Sequence, residues 1–154
     1  MLGDPGLACS GGVLRDSNGN WLRGFSHKLE ITNSLAAELW GVRDGLLLAR
    51  DLNIRKLIIK SDAKFVVDLF KTENLGNNVF HPYSALINDC RYLILSFEEA
   101  FVQHAHLESN FCADILAKEG HNLLTPFFLY IFPPAFVVSQ LLVDIWGVSY
   151  PRML

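Results

Sequence analysis

The chain has 154 residues, 51% of them hydrophobic, which suits one domain able to bury a full core. Thirteen Lys and Arg against sixteen Asp and Glu leave a net charge of −3. That balance excludes a domain that grips nucleic acid by bulk electrostatics, because neutralising phosphates takes clustered cations, so any nucleic-acid contact must be local.

Cys9, Cys90 and Cys112 form neither a CxxC pair nor a zinc-finger spacing with histidines, and they read as buried thiols of a reducing compartment. The opening MLGDPGLACSGG lacks a basic stretch followed by an apolar one, so the expectation is an intracellular protein, nuclear or cytoplasmic.

In chain order, Ala8 to Leu14 and Trp21 to Leu29 read as two antiparallel strands, with Asn18-Gly19 as the positive-φ pair of a tight hairpin turn. Asn33 or Ser34 offers a cap for a helix in which Leu35, Leu39, Val42, Leu46 and Ala49 recur at threes and fours. KLIIK, residues 56–60, reads as a strand ending at Ser61-Asp62, where Ser61 can cap a helix over Ala63 to Lys71. Thr72 to Pro82 reads as a loop, Tyr83 to Leu95 as an amphipathic helix and Phe97 to His106 as a strand. Ser109 or Asn110 can cap a last helix over Phe111 to Leu124.

The order ββ-α-β-α-α-β-α predicts an α/β fold, a mixed sheet flanked by helices, with ligands gathered at the carboxyl ends of strands. Asn122 to Val143 carries no charge and is long enough to span a bilayer, but Pro126, Pro133 and Pro134 interrupt it. The expectation is no membrane span. Residues 1–122 would form the domain, and residues 123–154 a proline-broken apolar tail that folds back on it or docks a protein partner.

Three acids fall at informative places: Glu38 one turn into the first long helix, Asp62 at the end of a strand, and Asp114 near the start of the last helix. Each alone is an ordinary solvated or helix-terminal acid. Together, carboxylates from separate elements are what paired magnesium ions need, since each ion takes hard oxygen ligands in near-octahedral geometry and keeps waters for chemistry.

The surrounding blocks are more specific. GGVLRDSNGNWLRGFS, then AAELWGVRDGLLLARDLNIRKLIIKSDAKFVVDLF, then His104 to Lys118 agree in order and spacing with one pattern, and PPAFVVSQLLVDIWGVSYPR follows as a C-terminal extension. From about Gly3 to Gly120 the chain resembles the plant, retroelement-derived, reverse-transcriptase-like branch of type 1 ribonuclease H domains.

The resemblance implies a ribonuclease H-like fold and two-metal hydrolysis of the RNA strand of an RNA–DNA hybrid, with Mg²⁺ or Mn²⁺. It makes Glu38, Asp62 and Asp114 the metal-binding carboxylates. It makes His104, ahead of its neighbour His106, the histidine that assists water activation or product release. Asn33 and Ser34 become candidate substrate contacts and the Gly3-Asp4-Pro5-Gly6 loop a weaker one, reading duplex shape and 2′-hydroxyls rather than bases.

Relatives carry a first strand with a metal-bridging Asp before that loop, and this sequence opens at Met1-Leu2-Gly3 without one. The expectation is therefore a site with three of four carboxylates, with neither Asp4 nor Asp16 as a substitute. Retained hybrid cleavage, noncatalytic nucleic-acid binding, and a protein-interaction module on the tail are the three functions to be distinguished.

Overall fold

In the computed structural model, which describes residues 6–71, 83–105 and 111–138, two long strands open the fold. β1 (Gly6–Arg15) and β2 (Trp21–Thr32) pair antiparallel from Gly6 opposite Thr32 to Arg15 opposite Trp21. The turn between them is not the two-residue Asn-Gly turn that the sequence predicts. Asp16 organises a longer loop: its carboxylate accepts from the backbone N–H of Asn18 and of Asn20, each at 2.9 Å, and its carbonyl accepts from Gly19 N–H at 3.0 Å. With those donors satisfied, only Gly19, at φ 83°, needs the left-handed region. Asp16 is thereby committed to the turn, and these hydrogen bonds, the one from Asn20 N–H foremost, hold its carboxyl below the usual range.

Helix α1 (Ser34–Asp51) starts at Asn33, whose side-chain oxygen accepts from Ala36 N–H at 3.0 Å. It ends because Asn53 turns left-handed, φ 59°, so that Asn53 N–H returns to the Arg50 carbonyl and Ile54 N–H to that of Ala49. This pair of bonds satisfies carbonyls that a helix end otherwise leaves unmatched. The chain then enters β3 (Lys56–Ser61), α2 (Lys64–Leu69), α3 (Ser84–Leu95), β4 (Glu99–His104) and α4 (Phe111–Glu119).

Strand β4 lies parallel to β3, with Ser61 level with His104. Ser61 does not cap α2. The N-cap is Ala63, and the Ser61 hydroxyl instead accepts from Ala63 N–H at 3.1 Å, closing a small turn just before the helix.

Side chains alternate across β1, and each face is covered by a different helix. Leu14 joins Phe25, Val42, Leu46, Ile59, Val66 and Cys90 in the main core under α1, while Val13 packs with Cys112, Leu116 and Val137 under α4. All three cysteines are buried and none forms a disulfide. Helix α4 rests almost directly on the strand. A Cβ added at Gly11 would stand 2.3 Å from Ala117 N and 2.8 Å from Ala113 O, so only glycine allows this approach.

One strand escapes the periodicity reading. β5 (Phe127–Tyr130), within the apolar tail, adds antiparallel to the outer side of β2 and gives the order β1-β2-β5. Trp21 Nε1 donates to the Ile131 carbonyl at 3.2 Å, and Phe25 stacks on Phe127 at 5.7 Å. Phe128, Ile131 and Phe132 stay exposed. No helix among the described residues is long and apolar enough to cross a membrane.

Candidate functional site

Among the described residues the strands form two ladders, β1-β2-β5 and β3-β4, with no hydrogen-bonded pairing between β1 and β3. A cavity of about 60 Å³ is lined by Cys9, Ser10 and Gly11 of β1, Ala37, Glu38 and Gly41 of α1, Asp62 after β3, and Ala113, Asp114 and Ala117 of α4. Three consecutive β1 residues, facing alternately up and down, share this lining with helices from both faces. The cavity therefore runs along the β1 edge that β2 leaves open. Its volume exceeds the roughly 10–15 Å³ that holds one water, so a hydrated ion or several waters fit.

The fold thus brings Glu38, Asp62 and Asp114 to one cavity from three elements. Glu38 sits there because α1 is amphipathic: Ala37 and Leu39 are buried beside it, and Glu38 itself is half-buried at the cavity wall. Asp62 follows directly on β3, at its carboxyl end. Asp114 lies in the first turn of α4, where a carboxylate complements the helix dipole, and pairs with Lys118 at 3.1 Å across one turn.

Their charges act on each other. Burial, then the negative charge of Asp62 and further that of Asp114, push the Glu38 carboxyl up to about 7. Asp62 is raised as well, by burial first and Asp114 next, while a backbone hydrogen bond and His104 oppose the rise. Mutually repelling, partly desolvated carboxylates of this kind favour a nearby cation.

The donor chemistry fits Mg²⁺ or Mn²⁺, which take hard oxygen ligands. The acids face the cavity without closing on one point: among the described residues, no three His, Cys, Asp or Glu side chains stand close enough to hold a metal ion by themselves. An ion here would keep several waters, as Mg²⁺ ordinarily does when held by one or two carboxylates.

His104 is exposed at the end of β4 and does not line the cavity; it stands beside Asp62 because β3 and β4 run in parallel register. Asn33 and Ser34 lie at the start of α1. Asn33 caps the helix and donates from Nδ2 to the Tyr83 hydroxyl at 2.5 Å, tying α1 to the start of α3. The Gly3-Asp4-Pro5 part of the entry loop, the predicted loop at residues 72–82, His106, and the caps Ser109 and Asn110 lie outside the described residues. Ser10 and Gly11 are cavity residues that the sequence reading missed, since alternation marks faces of a strand but not which edge stays open.

Known proteins share the fold. A model of the family described as reverse transcriptase-like matches residues 2–120. An Arabidopsis thaliana protein, provisionally named a ribonuclease H protein, is 34% identical over 150 residues, 97% of this chain and 24% of the relative. The chain thus spans about a quarter of that relative's length.

Among solved structures, ribonuclease H1 of the archaeon Halobacterium salinarum superposes with a TM-score of 0.72 at 20% identity, covering 79% of this chain and 91% of that one. LC11 ribonuclease H1 in complex with an RNA/DNA hybrid gives a TM-score of 0.69 at 20% identity over the same shares. The N-terminal ribonuclease H domain of a Mycobacterium tuberculosis protein gives 0.57 at 19% identity, over 78% and 94%. With its mixed α/β architecture of sheet and flanking helices, the chain belongs to the reverse transcriptase-like, ribonuclease H-like family.

Proposed function

We propose that this chain binds RNA–DNA hybrids and hydrolyses their RNA strand at the carboxylate cavity, with Mg²⁺ or Mn²⁺ as the resident cation. The observation that carries the reading is the meeting of Glu38, Asp62 and Asp114 on one cavity, with Glu38 pushed to about 7. A divalent cation would supply water activation and neutralise charge at the departing 3′ oxygen. Glu38, Asp62 and Asp114 would hold it, in part through its waters, and a cation there would favour the ionised form of Glu38.

To His104, exposed beside Asp62, we assign the exchange of protons between the cavity mouth and water. Asn33 and Ser34, at the start of the helix that carries Glu38, contact the hybrid backbone. Binding follows duplex shape and 2′-hydroxyls, in keeping with the absence of a net positive charge. The Arabidopsis relative's name and the hybrid bound to LC11 ribonuclease H1 support this assignment.

Noncatalytic hybrid binding is the second reading, and the open spacing of the three acids favours it. The deciding experiment is cleavage of a labelled RNA–DNA hybrid by the purified chain with Mg²⁺ or Mn²⁺, beside Asp62→Asn and beside a version preceded by an Asp-bearing strand. Cleavage by the chain as given, lost in Asp62→Asn, establishes the hydrolase. Hybrid binding without cleavage by the unaltered chain transfers the assignment to the noncatalytic reading.

A further inference from the structure

Ser10 stands out among the cavity residues. It is 5% exposed, and its hydroxyl is a buried side-chain oxygen without a hydrogen-bond partner among the described residues. Leaving such a group unmatched is unfavourable, so an orphan hydroxyl on a cavity wall points to something that enters the cavity.

Its orientation follows from the strand. Gly11 lies against α4, and Ala8 packs with Ala37 of α1, so Ser10, two residues beyond Ala8, faces the α1 side on which Glu38 stands. Its cross-strand neighbour is otherwise engaged: His27, directly opposite in the β1–β2 register, binds Asp44 through Nδ1 at 2.6 Å.

We propose that the Ser10 hydroxyl is a further oxygen of the cation site, hydrogen-bonded to a water of an ion in the cavity that Glu38, Asp62 and Asp114 line; this rests on the cation reading above. A hydroxyl both donates and accepts, so it can orient a bound water without adding a fourth charge to a site where three acids already repel. Ser10 is in this sense a positioning residue. Ala37, Glu38 and Gly41 of α1 line the cavity with it.

The test is Mn²⁺ titration of the purified chain, followed by the electron paramagnetic resonance signal of free Mn²⁺, for the unaltered chain, Ser10→Ala and Ser10→Thr. Thermal unfolding without metal confirms that each is folded. Ser10→Ala is expected to bind about ten-fold more weakly, the scale seen when groups around a metal's direct ligands are removed, and Ser10→Thr, which keeps the hydroxyl, to restore affinity. Should Ser10→Ala not fold, Ser10→Cys serves, since sulfur is a poor partner for this hard ion and its shell.

Unchanged Mn²⁺ affinity in a folded variant lacking the hydroxyl overturns the role of Ser10 and leaves the cation reading standing. No Mn²⁺ binding by the unaltered chain overturns both.

Discussion

Replacing Glu38 by Gln is expected to stabilise the folded chain in the absence of divalent cations, and only above mildly acidic pH. Glu38 ordinarily titrates near 4.5 and is pushed to about 7 by burial and by Asp62 and Asp114. Between those values the folded chain keeps a proton that the unfolded chain has released, so stability falls as pH rises through the window and stays lowered above it.

At about 1.4 kcal/mol per pH unit the ceiling is roughly 3 kcal/mol, and wetting of the half-buried group at the cavity wall brings the expected gain to about 1–2 kcal/mol. Glutamine has nearly the same shape and no charge to lose. Urea unfolding of both proteins in a chelating buffer at pH 4.5, 6 and 8 reads the effect, and in melting temperature it amounts to several degrees, at about 2–4 °C per kcal/mol for a chain of this size. A stability difference that is flat with pH, or a Gln variant weaker at pH 8, would refute the argument that the acids repel one another across the cavity.

Gly11→Ala should drive α4 off β1, because the new Cβ meets backbone atoms of Ala113 and Ala117 rather than a flexible side chain; a loss of about 1–3 kcal/mol in urea unfolding is expected, with weakened Mn²⁺ binding through displaced Asp114. Asn33→Ala removes both a helix cap and the link to Tyr83 and should cost about 1 kcal/mol or more, whereas Tyr83→Phe removes the link alone and should cost less. Saturating Mn²⁺ should raise the melting temperature of the unaltered chain, by about 2.7 kcal/mol in stability at a hundred times the dissociation constant, and raise that of Asp62→Asn less. Equal shifts in the two would place the binding elsewhere.

The elements with strong local signals were legible from sequence because the signal and the physics coincide. The threes and fours of α1 are the contacts it makes in the core, and Asp62 follows its strand directly because the apolar run Leu57-Ile58-Ile59 gives way to Lys60, Ser61 and Asp62. The turn at Asp16 was misread since Asn-Gly is a sufficient signal for a two-residue turn, and only the side-chain hydrogen bonds of Asp16 favour the longer loop. β5 was invisible: an unbroken apolar run between prolines has no period, and it is a strand because β2 offers it an edge. The cavity roles of Ser10 and Gly11 depend on α4 arriving from far along the chain, which no window of sequence contains.

That distance also sets an order of events. Glu38, Asp62 and Asp114 are carried by elements that form separately, and the seat of α4 on Gly11 joins residues about 100 positions apart, a contact whose loop-closure entropy is met only once the intervening strands and helices are in place. The hairpin and α1 can form early from local contacts, whereas the cavity comes into being at the final docking. The repulsion that Asp114 adds to that between Glu38 and Asp62 then arises only as α4 docks, after the hairpin and the first helix.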